Sequence, residues 1–248
     1  MLIVSRNNQS KDKRVDTNPD RPRIVEVAVD DEQMLAYVVR LHMELLDFGP
    51  MAGLGERFIR EVGYKLHMKD GLMKAALCLV GEQPAGFVVY TSRSISFHRQ
   101  SLSAHLLRVL WVLTLSLVED PRRIVKLLRA VRVIASRRRE NRRGSDPMGE
   151  VIAIAVRREY LSKQYVDENG RRPSVSLVAY AQKELLEMGV DEMRMLVDAD
   201  NKSALFLYHG LGARLEGYEQ AGEPMVEVWF DLRSPNGGTQ GLPNNGGS

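Results

Sequence analysis

Apolar and polar positions alternate over Arg-Ile-Val-Glu-Val-Ala-Val, residues 23–29, and this period of two predicts a first strand. Asp30 and Asp31 then offer caps to a helix that gathers Met34, Leu35, Val38, Leu41 and Leu45 on one face, until residues 48–53 break it. A second helix, over about residues 55–67, turns Phe58, Ile59, Val62 and Leu66 inward. Residues 73–80 and 85–90 read as strands joined by a turn at 81–84, which makes a hairpin. Residues 101–118 are mostly apolar, interrupted by His105 and Arg108, and predict a buried or interfacial helix rather than a membrane span. Strand character returns at 149–156, where Val151 to Val156 are apolar on both faces, as in a central strand. A long polar loop covers 157–172. The helix after it places Leu177, Val178, Ala181, Leu185 and Met188 on one face and stops at Gly189. A short apolar strand at 193–197, a helix behind Asp200 and Asn201, and two strands at about 214–220 and 225–232 complete the chain.

Composition refines this outline. The 248 residues are 44% hydrophobic, enough for a substantial core. Cys78 is the only cysteine and sits in an apolar run, so a buried hydrophobe in a reducing, cytoplasmic setting is expected, with neither an intrachain disulfide nor a metal site. Residues 1–22 are polar and lack the apolar core of a signal peptide, and residues 233–248 are rich in Gly, Asn and Pro; both read as disordered tails. The net charge of +3 hides an asymmetry. Residues 122–143 hold ten Lys or Arg and one Glu, a local +9 that leaves −6 for the rest. There Ile124, Val125, Leu127, Leu128, Val131 and Ile134 interleave with basic residues, an amphipathic basic helix. With the helix before it this makes a hairpin, which could pack on the domain or on a twin subunit with its basic face solvated, or attach to an anionic membrane surface or an anionic polymer; dimer packing and membrane contact are compatible. Nucleic acid is not expected, because aromatic residues for base stacking are nearly absent there.

The most informative stretch is 199–213, Ala-Asp-Asn-Lys-Ser-Ala-Leu-Phe-Leu-Tyr-His-Gly-Leu-Gly-Ala. A strand stops, a helix starts, and Asn201 and Tyr208 lie about two turns apart. This N-x-x-A-x-x-x-Y-x-x-x-G spacing resembles the signature of the GNAT superfamily, the acetyl-CoA-dependent N-acetyltransferases. The resemblance is good over 149–232 and modest over 23–92. It implies an α/β (α+β) fold over 23–232, with a mixed, mostly antiparallel sheet flanked by helices and a helical-hairpin insertion at 94–148. It also implies acyl-CoA as co-substrate, with no metal.

By the same resemblance, Ile154, Ala155 and Val156 would hold the pantetheine arm on a strand splayed from its neighbour. The pyrophosphate would lie at Arg171, Arg172, Ser174, Val175 and Ser176, where serines replace the two glycines of the family pattern Gln/Arg-x-x-Gly-x-Gly/Ala. Residues 159–163 match the start of that pattern as an alternative. Asn201 would bond the cofactor arm, and Tyr208 would protonate the departing thiolate; on their own, the two residues equally suit a helix cap and a core aromatic. Glu150, at the start of the splayed strand, is the candidate general base, with His42, Glu44 and Asp47 behind it; a strand-end carboxylate could equally be structural. The expected reaction is direct transfer of an acetyl or similar acyl group to a small-molecule or peptide primary amine. The rival expectation is a non-catalytic GNAT-derived binding or scaffold module, motivated by the serine-for-glycine loop.

Overall fold

The computed structural model describes residues 21–46, 52–93, 105–120, 124–125, 148–220 and 223–233. In chain order the elements are β1 (Pro22–Glu26), α1 (Glu32–Leu45), α2, β2 (Lys74–Val80), β3 (Gln83–Thr91), α3 (Leu106–Glu119), β4 (Gly149–Val156), α4 (Pro173–Glu187), β5 (Glu192–Asp198), α5 (Lys202–Gly210), β6 (Arg214–Gln220) and β7 (Glu223–Asp231). Helix α2 is built from Glu56–Phe58, a π-wound centre over Ile59–Leu66, and His67–Lys69. The tails, most of the basic segment and residues 47–51 lie outside the described residues, so of the expected helical hairpin only its first helix, α3, and residues 124–125 are seen.

Seven strands form one sheet in the order β1-β2-β3-β4-β5-β7-β6, antiparallel throughout except for the parallel pair β4–β5. Two cores follow from the period-two alternation of these strands. On one face, Val88, Tyr90, Val151, Met193, Met195, Val228 and Phe230 pack with Leu177, Val178, Ala181 and Leu185 of α4. On the other, Leu77, Phe87 and Val89 pack with Leu35, Val38 and Leu41 of α1 and Ile59 of α2. The inward residues read from the sequence are buried with three exceptions: Met34 and Leu45 are only half-buried, and Met188 is exposed because it sits past the last turn of α4, where Gly189 at φ 77° ends the helix.

The centre of the sheet is where it departs from regularity. β3 and β4 pair Val89 with Ala153 and Tyr90 with Val151, so Ile152 is an extra residue, a bulge. Next to it, Gly86 lies so close to β4 that a Cβ there would stand 2.6 Å from the Ala155 carbonyl oxygen and 2.8 Å from Val156 Cγ2. Gly86→Ala should therefore destabilise the fold by about 1–3 kcal/mol. A thermal unfolding midpoint equal to that of the parent would show that the strands yield there without cost.

Candidate active site

β4 and β5 pair only at Gly149–Met193, Glu150–Arg194 and Val151–Met195. Beyond Val151 the two strands separate, although β4 stays paired to β3 and β5 to β7 along their full lengths. The edges of residues 152–156 and 196–198 thus face each other without ladder bonds. Unpaired backbone groups of this kind need partners, from water or a ligand. The residues of this opening are apolar yet only half-buried: Ile154 and Val156 pack toward α4, Ala153 and Ala155 toward α1. The sequence reads β4 as fully buried on both faces. The separation from β5 is why it is not.

The N-terminus of α4 forms the second wall. Pro173 opens the helix at the position where a missing N–H costs nothing. Arg172 provides no side-chain cap, and the Ser176 N–H bonds the Arg172 carbonyl at 2.9 Å. That leaves the N–H groups of Ser174 and Val175, at the positive end of the helix dipole, without partners among the described residues. Ser176 is turned away: its hydroxyl donates to Asp167 Oδ2 at 2.8 Å. Asp167 also accepts from the N–H groups of Asn169 (2.8 Å) and Arg171 (2.9 Å), while Gly170 takes φ 70° to close the turn. One carboxylate thus organises the loop, and Ser174 carries the remaining free hydroxyl. Residues 159–163, the alternative match, begin in a short 3-10 turn over Arg158–Leu161.

Helix α5 forms the third wall. The Asn201 side chain accepts from the Ala204 N–H at 3.2 Å, so the residue is a cap whose amide NH2 points outward from that bond. Asp200 does not cap the helix. Tyr208 is 6% exposed and lies edge-on to Phe230, centroids 6.4 Å apart, in the cluster that also takes in Ile154 and Val156. Among the described residues nothing hydrogen-bonds its hydroxyl, and burial pushes the phenol up to about 12. His209, the next residue, is exposed.

Glu150 lies on the opposite sheet face. It is 5% exposed and accepts from Arg194 at 3.4 Å; Arg194 also binds Glu227 at 3.1 Å and stacks over Trp229 at 5.7 Å. Arg194 and Glu227 escape a reading of the sequence because they meet only through the β4–β5–β7 register. Glu44 forms a two-pronged ion pair with Arg157 at the end of β4, Nε at 3.0 Å and Nη2 at 2.7 Å, and Asp47 lies outside the described residues.

His42 is buried between α1 and α2. Burial drives its imidazole down from 6.5 to about 4 and holds the Tyr64 phenol protonated, so Tyr64 donates to His42 Nδ1, at 2.5 Å. Below pH 6.5 the unfolded chain binds a proton that the folded chain refuses. Stability is therefore lost as pH falls from 6.5 toward about 4, by up to roughly 1.4 kcal/mol per pH unit. His42→Gln should flatten that slope in urea unfolding series; equal slopes would exclude His42 as its source.

A cavity of about 470 Å3 opens beside the start of α4, where Asp167, Arg171, Ser176, Tyr180, Gln182 and Lys183 line its polar side. Cys78 is fully buried and its thiol is pushed up to about 12, chiefly by burial, which leaves it inert as a nucleophile. No group of His, Cys, Asp and Glu among the described residues has the arrangement of a metal site.

No protein-family model matches the sequence, and no curated protein matches it. Among solved structures, the chain is similar to aminoglycoside 6′-acetyltransferase type Ii, at 12% identity over 86% of this chain and 98% of that one, with a TM-score of 0.51. It is similar to PH1933 from Pyrococcus horikoshii OT3, at 14% identity over 85% and 98%, TM-score 0.50. A protein from Desulfovibrio desulfuricans assigned to the GNAT family of acetyltransferases aligns at 12% identity over 85% and 99%, again with a TM-score of 0.50. These likenesses show the fold: the protein has the fold of the GNAT N-acetyltransferases.

Proposed function

We propose that the protein is an N-acyltransferase that moves an acetyl or similar acyl group from CoA to a primary amine by direct attack. The observation that carries this reading is the β4–β5 pair that opens after Val151 between the starts of α4 and α5. The residues present fit an acyl-CoA arm. Backbone edges at 152–156 suit the amides of pantetheine, and the N–H groups of Ser174 and Val175 with Arg172 suit a pyrophosphate. Bound there, the acyl donor supplies a thioester carbonyl as the electrophile.

The chain's own residues would do the rest. Tyr208, kept protonated by burial, gives its proton to the leaving sulfur. Glu150, on the face away from α4 and paired with Arg194, draws the proton of the amine through water. The opening has both sheet faces within reach, so donor and acceptor can meet there from opposite sides. One solved structure of this fold is named as an aminoglycoside 6′-acetyltransferase, which makes amino sugars the first amines to screen.

The test is calorimetric titration with acetyl-CoA, followed by thiol release across amino sugars, small polyamines and peptide N-termini. One-site binding with turnover of one amine class is expected. Absence of heat and of a thermal shift would overturn the reading.

A further inference from the structure

Helix α3 is apolar on two faces. Inward, Val109 and Val112, each 6% exposed, pack with Leu54, Phe58, Val62 and Leu66, and the Ser116 hydroxyl donates to the Leu54 carbonyl. Arg108 pairs with Glu61 and Glu119 with Arg57, tying the helix to α2. Outward, Leu107, Leu110, Trp111 and Val118 are 84%, 50%, 64% and 75% exposed and fall on one stripe. Thr114, the polar residue of that stripe, donates its hydroxyl to the helix's own Leu110 carbonyl at 2.8 Å. The stripe therefore offers water no free hydroxyl and no charge. Ile124 and Val125, just beyond the helix, are exposed as well, at 52% and 69%.

The second observation is charge. The sequence that follows α3 holds +9 in residues 122–143, against −6 in the rest of the chain. An apolar stripe beside a cationic segment matches an anionic lipid surface, which has an apolar interior and a negative boundary. A water-soluble polyanion would satisfy the arginines and leave the stripe wet. Length excludes a span: 14 residues make a helix of about 21 Å, short of the roughly 30 Å hydrocarbon layer. No described helix is long and apolar enough to cross a membrane.

We propose that the outward face of α3 docks this protein on an anionic membrane surface. Leu107, Leu110 and Trp111 enter the headgroup boundary, where an indole ring is well accommodated, and the basic residues of 122–143 supply the attraction. α3 lies on α2, in the helix layer over the sheet face that bears Glu150, so docking sets the acceptor side of the molecule next to the lipid.

Co-sedimentation of the full chain with phosphatidylglycerol-containing vesicles and with pure phosphatidylcholine vesicles, at low and high salt, tests this without any acyl donor. Failure here thus leaves the proposed activity standing, and failure of the activity leaves docking standing. Binding to the anionic vesicles at low salt is expected, with brominated lipid quenching fluorescence in the parent and far less in Trp111→Phe. The triple variant L107S/L110S/W111S should bind about tenfold more weakly or less, and R137Q/R138Q/R139Q should bind more weakly with a shallower salt dependence. The proposal is overturned by absence of binding at low salt, or by undiminished binding of the triple serine variant. A parent that elutes as a dimer and a serine variant that elutes as a monomer would assign the face to a second copy. Should the serine variant fail to fold by circular dichroism, Trp111 fluorescence decides: absence of Trp111-dependent quenching by brominated anionic lipid overturns docking.

Discussion

Tyr208→Phe is expected to lower kcat by about ten- to a hundredfold while leaving acyl-CoA affinity and thermal stability close to the parent. The substitution removes one oxygen and keeps the ring against Phe230. Because nothing among the described residues hydrogen-bonds that oxygen, no buried partner is orphaned by its loss. A structural tyrosine would show the opposite pattern, with stability falling and turnover following it. The phenol sits near 12, so the parent should show no loss of the acid form across neutral and mildly alkaline pH. Unchanged kcat in the variant throughout that range would remove Tyr208 from the reaction.

The largest effect on stability is expected at Arg194. Its guanidinium, with the side chain 12% exposed, lies between Glu150 and Glu227, whose side chains are 6% and 15% exposed, and over the Trp229 ring. Arg194→Met keeps much of the volume and leaves two carboxylates on a buried sheet face without that cation. Breaking such a pair costs about 3–5 kcal/mol at neutral pH. Denaturant midpoints at neutral pH read the result; a deficit below about 1 kcal/mol would mean that the guanidinium is not what holds the two carboxylates on that face.

Much of the fold is legible in the sequence because its elements are locally encoded. Asp31 caps α1 and Asn201 caps α5, each followed by helical periodicity, and Gly189 ends α4 with a positive φ. Strand β4 is legible in its own residues as apolar, and as open only through the family resemblance, because its separation from β5 is a property of two strands 44 residues apart in register. The same holds for the Glu150–Arg194–Glu227 cluster and for the buried His42–Tyr64 pair, whose members are joined by register and packing. Asp167 is the residue a closer reading could have found. Asp-Glu-Asn-Gly, residues 167–170, carries the signature of a side chain that bonds its own turn, with glycine taking the left-handed position.

The bulge at Ile152 gives strand β4 a parity that its length alone would not have. Val151 and Ile154, three residues apart, both face α4, while Glu150 looks to the other side with Ala153 and Ala155. Removing one residue here would not merely shorten the strand. It would rotate everything before or after the deletion by half a turn and exchange the two faces of the sheet. Glu150 would then stand among Leu177 and Val178, or the side chains lining the opening would swap from one helix layer to the other. Chain length between Gly149 and Val156 is consequently a quantity with only even steps available to it, whereas the loop from Arg157 to Arg172 can gain or lose single residues without changing which face any side chain occupies.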